Sequence, residues 1–349
     1  MARPLDRRTF LAGTAAASVV GLGGLRRAAA DNRIELKIAT VAPDKTPWAD
    51  LLKTYKKNVE AASSKRLKVR VFLGGTMGDE NETVRMTARG QLSGVGASTG
   101  AVASLVEELA AIEIPFQFAS ASEADYVLDK FLLPDMEKRF QDKGLVLGFW
   151  SENGFRHFGA SFPIAEPEDL KSKKMRSQES YVHIEMWKEL EASAQAIPTT
   201  EVTTALKTGT VNGFDQALLY MVAGSWHTSI QYLTLSAHIY QPAVIAFNKD
   251  WFDRLPADLQ TIVLDEGRKI TRQGREAIRA MNPTLVKIIQ DAGVKISTLS
   301  AQGRNDFIAK TAGVAAKVRA KGASSGEVVD LIQAGLADFR AKAGAKARQ

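Results

Sequence analysis

The pattern of residues 34–73 predicts a strand, a helix and a second strand, and this order restricts the possible folds more than any other feature of the sequence. Apolar and charged residues alternate over 34–38 and again over 67–73, which is the period of a half-buried strand. Between them, Thr46 and Pro47 are typical of a helix start, because threonine caps a helix and proline fits its first turn. The order predicts a βαβ unit, and hence an α/β protein with a parallel sheet.

The rest of the chain repeats strands and helices more loosely. We predict buried strands at 145–150, 155–158 and 244–247. Over 256–292, apolar residues recur at helical spacing, and a helix of this span is about 50 Å long at ~1.5 Å per residue. That length exceeds one small domain, and 349 residues exceed one typical core, so we predict two lobes and a long helix across both.

The amino-terminal residues have the composition of an export signal. The pair Arg7-Arg8 is followed by a small-residue apolar stretch over 12–25 and by three alanines at 28–30. The apolar stretch is shorter than the ~20 residues that a bilayer span needs, and no later stretch is long enough either. We therefore predict a twin-arginine signal peptide over 1–30, and a mature periplasmic protein that is not embedded in the membrane.

Composition and charge exclude two classes of function. The chain has no cysteine, so disulfides, thiolate nucleophiles and cysteine-bound zinc are ruled out. Its net charge of +7 comes from the two ends, because 1–30 and 340–349 each carry +4 and the residues between them carry −1. A chain without a basic excess in its body offers no extended surface for phosphate backbones, so we predict no nucleic-acid partner.

The segment 96–100, Gly-Ala-Ser-Thr-Gly, matches the turn that presents the nucleophilic serine of many hydrolases. Such a serine needs a strong preceding strand and a histidine partner. The residues 91–93 make a poor strand, and the four histidines stand singly: His157, His183, His227 and His238. We therefore favour a small-residue turn, with a serine hydrolase built on Ser98 as the alternative. Single histidines also lack the spacing of a metal site, and we predict no metal and no cofactor.

Arg156 and Arg176 each end a short apolar run instead of lying on a charged helix face. The planar guanidinium can bind a carboxylate with two parallel hydrogen bonds, which suits the recognition of an acid in a partly dry cleft. Composition alone favours a structural salt bridge for either arginine. The residues by themselves therefore leave both interpretations open.

Ordered segments between about 35 and 293 match one known family. They are 38–43 (IATVAP), 47–48 (PW), 74–78 (GGTMG), 147–150 (LGFW), 153–156 (NGFR), 167–171 (PEDLK), 174–176 (KMR), 201–209 (EVTTALKTG) and 211–213 (VNG). In these segments the chain resembles the substrate-binding proteins of tripartite ATP-independent periplasmic (TRAP) transporters, a family typified by C4-dicarboxylate and sialic acid binders. Chance does not produce so many matches in one order.

The resemblance implies a two-lobed periplasmic binding protein fold, in which hinge strands and a long helix join the lobes. We place lobe I at 31–153 plus 242–281, lobe II at 154–241 plus 282–339, and a basic tail at 340–349. The implied function is that of a solute-binding protein, not an enzyme. It would capture a carboxylate-containing organic acid and deliver it to the small and large membrane subunits of a TRAP permease. A ligand receptor for a periplasmic sensor is the other alternative.

The resemblance also implies a binding site. The family's selectivity arginine, which pairs with the ligand carboxylate, falls on Arg176, and a second family arginine falls on Arg156. The family asparagine that follows an acidic residue falls on Gln216, after Asp215, so the amide here has one more methylene. Thr199 stands where many relatives carry an apolar or aromatic residue. The remaining predicted ligand-binding residues are aromatic walls and hydroxyls near these segments: Trp150, Phe214, Tyr240, Thr40 and Ser98.

Overall fold

The computed structural model describes residues 33–346, and a mixed sheet of nine strands runs through them. In chain order the strands are β1 (Ile34–Ala39), β2 (Leu67–Phe72), β3 (Gly94–Ser98), β4 (Leu145–Ala160), β5 (Lys174–Ser177), β6 (Ser193–Ala196), β7 (Gly213–Ala217), β8 (Tyr232–Asn248) and β9 (Lys295–Thr298). Their spatial order is β2-β1-β3-β8-β4-β7-β5-β6, and β9 pairs with β8.

The α-helices surround this sheet, and short 3₁₀ or π-helical turns connect several of them. In chain order they are α1 (Pro47–Ala62), α2 (Glu80–Ala88), α3 (Thr99–Val102), α4 (Ala121–Val127), α5 (Leu133–Gln141), α6 (Tyr181–Glu189), α7 (Val202–Lys207), α8 (Leu218–Ala223), α9 (Lys249–Asp253), α10 (Ala257–Asp291), α11 (Ala301–Thr311), α12 (Gly313–Ala320) and α13 (Ala323–Lys346). The turns that matter below are the 3₁₀ helices Thr199–Glu201 and Trp226–Ser229.

The βαβ unit predicted at the start of the chain is confirmed. β1 pairs in parallel with both β2 and β3, and α1 connects the first two strands. Pro47 opens α1, and the side chain of Thr46 caps the helix by accepting a hydrogen bond from the Ala49 N–H at 3.2 Å. The opposite end of the sheet repeats the arrangement, because β5 pairs in parallel with β6 and β7.

Two long antiparallel strands, β4 and β8, join the parallel ends of the sheet. β4 has 16 residues and β8 has 17. Each strand is therefore longer than the apolar run that predicted it, which was 145–150 for β4 and 244–247 for β8. Polar residues such as Glu152 and Gln241 interrupt the apolar runs, yet both are buried inside the strands. The lobe boundaries given above remain a prediction, since one sheet continues through both proposed lobes.

The long helix predicted over 256–292 is confirmed as α10, which has 35 residues. It contacts α1 beside the β1–β3 end of the sheet, β4 in the middle, and α8 beside the β5–β7 end. At about 1.5 Å per residue, its length of roughly 50 Å is what allows one helix to reach both ends.

Two apolar cores lie on opposite faces of the sheet. In β8, Val244 and Ala246 belong to one core and Ile245 and Phe247 to the other, as the alternation of side chains along a strand requires. Helices α4–α6, α12 and α13 cover the first face, and α1 and α7–α10 cover the second. Over the described residues, no helix combines the length and the apolar character that a membrane crossing needs. The predicted signal peptide lies outside the described residues.

Candidate ligand-binding site

Arg176 lies on β5, beside Phe214 of β7. It is 1% exposed, and its Nε donates to Ile197 O at 2.9 Å while Nη2 donates to Thr199 Oγ1 at 3.4 Å. The guanidinium carbon is 5.5 Å from the ring centre of Trp226. The third nitrogen, Nη1, is buried and has no acceptor among the described residues. A charged donor that has no protein acceptor can donate a hydrogen bond to an anionic oxygen of a ligand.

The charge of Arg176 persists in this buried position. Burial, together with the nearby charge of Arg156, lowers the pKa of Arg176 to about 10, while Asp215 and Asp79 oppose the shift. The guanidinium is therefore still protonated at neutral pH. A ligand carboxylate would supply both the missing acceptor and an opposite charge.

Asp79 and Glu80, at the start of α2, bring two carboxylates from the β1–β3 end of the sheet close to Arg176. Both charges act on the Arg176 guanidinium, and Asp79 lies near the backbone N–H groups of Thr199 and Thr200. Burial raises the pKa of Asp79, and its Oδ1 is buried without a hydrogen-bond partner within residues 33–346. The site thus combines an unpaired donor, Arg176 Nη1, with an unpaired acceptor, Asp79 Oδ1.

Glu80 is held by Ser98, the last residue of β3. It accepts hydrogen bonds from the Ser98 backbone N–H at 2.8 Å and from the Ser98 hydroxyl at 3.0 Å. Burial, and then the charge of Asp79, raises the pKa of Glu80 to about 7. Protonated and ionised forms of this carboxyl group therefore coexist at neutral pH.

The raised pKa of Glu80 predicts a pH-dependent stability. Its usual pKa of 4.5 applies to the unfolded chain, so the folded protein binds more protons between pH 4.5 and about 7. The stability contributed by this group is fully present below pH 4.5 and is lost as the pH rises through about 7. Between about pH 5 and about pH 8, wild type should lose about 2–3 kcal/mol more free energy of unfolding than Glu80→Gln. Equal losses in urea titrations of the two proteins would contradict this assignment.

Arg156 on β4 is completely buried, and each of its nitrogens has an acceptor. Nε donates to Asp215 Oδ2 at 2.5 Å, and Nη2 donates to the Asp215 backbone oxygen at 2.6 Å. Nη1 donates to the side-chain oxygens of three glutamines, Gln178, Gln216 and Gln241. Burial raises the pKa of Asp215, but the Arg156 charge and the two histidines, His183 and His238, together outweigh burial and hold this pKa well below its usual range. Unlike Arg176, this guanidinium has no nitrogen without a protein acceptor.

A second buried pair lies beside the first. His183 Nε2 is 2.5 Å from Glu113 Oε2, and His183 Nδ1 is 3.6 Å from Asp215 Oδ2. Burial and the Arg156 charge lower the pKa of His183, but Asp215 and Glu113 outweigh them and raise it. The cluster therefore places two buried carboxylates, Glu113 and Asp215, against the Arg156 guanidinium and the His183 ring, and such partners are what a buried charge requires.

Gln178 connects the two parallel ends of the sheet. Its Nε2 donates to Ser98 Oγ at 2.7 Å, and its Oε1 accepts from Arg156 and from Gln241. All four histidines bond to groups other than Ser98. In the described chain Ser98 therefore has no histidine to act as its base, and the serine hydrolase alternative has no support here.

Phe214 and Thr40 were also predicted as ligand contacts, and of the two only Phe214 lies beside Arg176 in the sheet. Phe214 packs edge-on against Trp226, with ring centres 5.2 Å apart, and Trp226 lies against the Arg176 guanidinium. Thr40 directly follows β1, and its Oγ1 accepts from the Ala42 N–H at 3.2 Å. Phe214 therefore supports the aromatic surface beside Arg176, while Thr40 has a local partner.

Tyr240 and Trp150 belong to other clusters. The Tyr240 hydroxyl donates to Glu152 Oε2 at 3.0 Å and accepts from Arg279 Nη2 at 3.2 Å. Trp150 lines a cavity beside α10, which Arg176 and its partners do not line. Among the described residues, no ring contact or hydrogen bond joins either aromatic to Arg176. Their role as ligand walls stays a prediction.

Sequence reasoning did not single out four residues of this site: Asp79, Glu80, Gln178 and Trp226. Signals existed for three of them. Asp79 and Glu80 directly follow the GGTMG segment at 74–78, and Gln178 stands two positions after Arg176. Trp226 gave no signal, because it comes from a separate 3₁₀ helix that only folding brings to Arg176.

Comparison with known families identifies the chain. Residues 38–321 match the family described as "Bacterial extracellular solute-binding protein, family 7". The chain belongs to this family. A solute-binding protein of Verminephrobacter eiseniae (strain EF01-2) is 32% identical over 277 residues, which cover 79% of this chain and 79% of the relative.

Solved structures of other solute-binding proteins share the fold. The sugar acid binding protein of Advenella mimigardefordensis, in complex with galactonate, has a TM-score of 0.82 at 27% identity and covers 87% of this chain and 99% of its own. A TRAP periplasmic solute-binding protein of Ochrobactrum anthropi, with its C-terminus in the ligand-binding pocket, has a TM-score of 0.78 at 26% identity, over 89% and 97%. The predicted two-lobed α/β fold and TRAP solute-binding function are confirmed, and neither alternative function has support in these relatives.

Proposed function

We propose that this family 7 protein captures a small organic acid in the periplasm and delivers it to the membrane subunits of a TRAP transporter. The observation that carries the proposal is Arg176 Nη1, a buried charged donor with no acceptor among the described residues. A ligand carboxylate would accept from Nη1 and so complete the hydrogen bonds of the guanidinium. Capture and release require no base or nucleophile, so we assign no catalytic residue.

The acidic groups near Arg176 favour a ligand with one carboxylate and several hydroxyls. Asp79 Oδ1 is buried without a donor in the described part of the chain, and the Glu80 carboxyl lies next to it in the sequence. A second ligand carboxylate near these groups would meet like charges, whereas a hydroxyl would donate a hydrogen bond to Asp79. The Advenella relative binds galactonate, a sugar acid of this description. We therefore propose a sugar acid or a similar hydroxy monocarboxylate as the ligand class.

A thermal-shift series followed by calorimetry tests this proposal. Galactonate and galacturonate should raise Tm, because a ligand that binds only the folded protein stabilises it. Succinate, which has two carboxylates, should give a smaller rise or none. A rise with succinate alone would overturn the proposed ligand class. If no acid from a broad organic-acid library raised Tm, the proposed function itself would be wrong.

We also propose export by the twin-arginine route, on the strength of the pair Arg7-Arg8 and the small-residue stretch that follows it. Replacing both arginines by lysine should leave the precursor in the cytoplasm, and periplasmic wild-type protein should begin near Asp31. Amino-terminal sequencing is the measurement. Periplasmic protein that still begins at Met1 would contradict the proposal.

A further inference from the structure

Residues 33–73 carry a basic excess that the overall charge of the chain conceals. Ten basic and four acidic residues give this segment a net charge of +6, and residues 74–339 carry −6. The segment contains β1, α1 and β2, and β2 is the first strand in the spatial order of the sheet. Positive charge is therefore concentrated at one end of the sheet.

A cavity of about 410 Å³ lies within this segment, on the exposed side of α1 and beside the beginnings of β1 and β2. Its charged lining residues are Arg33, Lys53, Lys56, Lys57, Glu60 and Lys65. All five basic residues are exposed to solvent. Five positive charges therefore surround one carboxylate in this basic cavity.

Most of this positive charge is not neutralised by the protein. Lys56, Lys57 and Lys65 form no ion pair within residues 33–346. The remaining lysine of the lining pairs with two carboxylates that lie outside the cavity. Glu60 accepts a hydrogen bond of 3.0 Å from the Val69 backbone N–H, so part of its charge is directed at β2. The three unpaired lysines are thus available to an anionic partner.

The character of these lysines favours an extended anionic partner over a single small ligand. Lysine attracts phosphate as a point charge on a flexible side chain, without the fixed geometry that a guanidinium imposes. Because the side chains are exposed, water and salt screen each attraction, and no single contact is strong. The attractions become substantial when several lysines meet many negative charges at once, as at a layer of phospholipid head groups.

We propose that the basic cavity binds the phosphate groups of an anionic phospholipid layer, and so holds the protein against the membrane by the β2 end of its sheet. The inference rests on the proposed function, because delivery to membrane subunits brings the protein to a phospholipid surface. The basic cavity shares no residue with the site around Arg176, so the two sites can be tested separately.

Vesicle co-sedimentation provides the test, with protein purified from the periplasm. Vesicles of equal parts phosphatidylglycerol and phosphatidylcholine are compared with vesicles of phosphatidylcholine alone. At an ionic strength of about 0.01 M, half of the wild-type protein should bind at about 1 mM anionic lipid. The neutral vesicles should not bind the protein, and about 1 M NaCl should release it from the anionic ones. Equal binding to both kinds of vesicle would overturn the proposal.

A triple variant tests the three unpaired lysines directly. Replacing Lys56, Lys57 and Lys65 by glutamine should weaken binding to anionic vesicles about a hundredfold. The matched control replaces three exposed lysines of β5, α7 and β9, which also form no ion pair in the described chain: Lys174→Gln, Lys207→Gln and Lys295→Gln. It should bind within about threefold of wild type. All three proteins keep the basic tail at 340–349, so the tail cannot cause a difference. Equal loss in the two triple variants would overturn the assignment to this cavity.

Two further measurements separate the possible failures. Pyrophosphate is the soluble probe, and its binding in calorimetry without any binding of vesicles would overturn the membrane as the source of the phosphate. The thermal-shift series with galactonate is repeated on the cavity variant, which should bind galactonate as wild type does. If wild type bound galactonate but not anionic vesicles, the docking surface would be wrong and the proposed function would stand.

Discussion

Replacing Arg176 by alanine should weaken ligand binding by roughly two to three and a half orders of magnitude. The reason is the difference between forming a buried pair and breaking one. A charge-assisted hydrogen bond contributes only about 1.5–3 kcal/mol net, because both groups give up water. Removing one partner leaves the ligand carboxylate enclosed without its counter-charge, which costs about 3–5 kcal/mol.

Two further variants make this test specific: one keeps the positive charge at position 176, and the other removes an arginine elsewhere in the chain. Arg176→Lys keeps the charge but loses the planar fork, so its affinity should fall between those of wild type and Arg176→Ala. Arg319 is an exposed arginine of α12 that pairs with Asp330, and Arg319→Ala should leave affinity unchanged. Calorimetric titration with an acid identified by thermal shift measures all four proteins. If Arg176→Ala bound within about threefold of wild type, Arg176 would not be the carboxylate-binding residue.

The parts of the fold that the sequence predicted are those with local periodicity. The βαβ unit and α10 follow from apolar spacing within a few turns or residues, and both are present. The full lengths of β4 and β8 were not predictable in this way, because polar residues such as Glu152 and Gln241 stand in the middle of them. Gln241 is buried because it bonds to Glu113, 128 residues away, and such a partner leaves no trace in the local pattern.

The binding site also shows that local sequence patterns cannot predict contacts between residues far apart in the chain. Arg156 and Arg176 have the same local context, an apolar run that ends in arginine, and the sequence leaves a salt bridge or a ligand contact open for each. Their difference comes from Asp215, which lies 59 residues after Arg156 and occupies its guanidinium. Nothing comparable occupies Arg176 Nη1 among the described residues. The contacts in the folded chain, and not the local sequence, therefore distinguish a structural arginine from one that is free to bind a ligand carboxylate.

Replacing Arg156 by alanine should therefore lower the free energy of unfolding by about 3–5 kcal/mol. Asp215 would remain completely buried, with His183 and His238 as its nearest titratable neighbours, at 3.6 and 3.4 Å. The Gln178, Gln216 and Gln241 oxygens would also lose a shared donor. Denaturant titration at constant pH measures the loss. Arg319→Ala is again the matched control, and its exposed ion pair should contribute little.

A double variant separates the charge from the packing. Arg156→Met combined with Asp215→Leu removes both charges and keeps similar volumes, so it should lose less stability than Arg156→Ala, which leaves one charge unpaired. A larger loss in the double variant would mean that the pair stabilises the fold beyond satisfying its own charges. The interaction energy between the two side chains follows when the single variants Arg156→Met and Asp215→Leu are measured under the same conditions.

Measurements of affinity and of stability together then assign a role to each of the two arginines. Within the described residues, Arg176 has one unpaired nitrogen, so its removal should act mainly on ligand binding. Every nitrogen of Arg156 has a protein acceptor, so its removal should act mainly on folding. Arg156→Ala should reduce affinity by less than Arg176→Ala does when both are measured under conditions where each variant is folded. The reverse order, with affinity lost in Arg156→Ala and kept in Arg176→Ala, would show that the carboxylate binds at Arg156 and displaces Asp215.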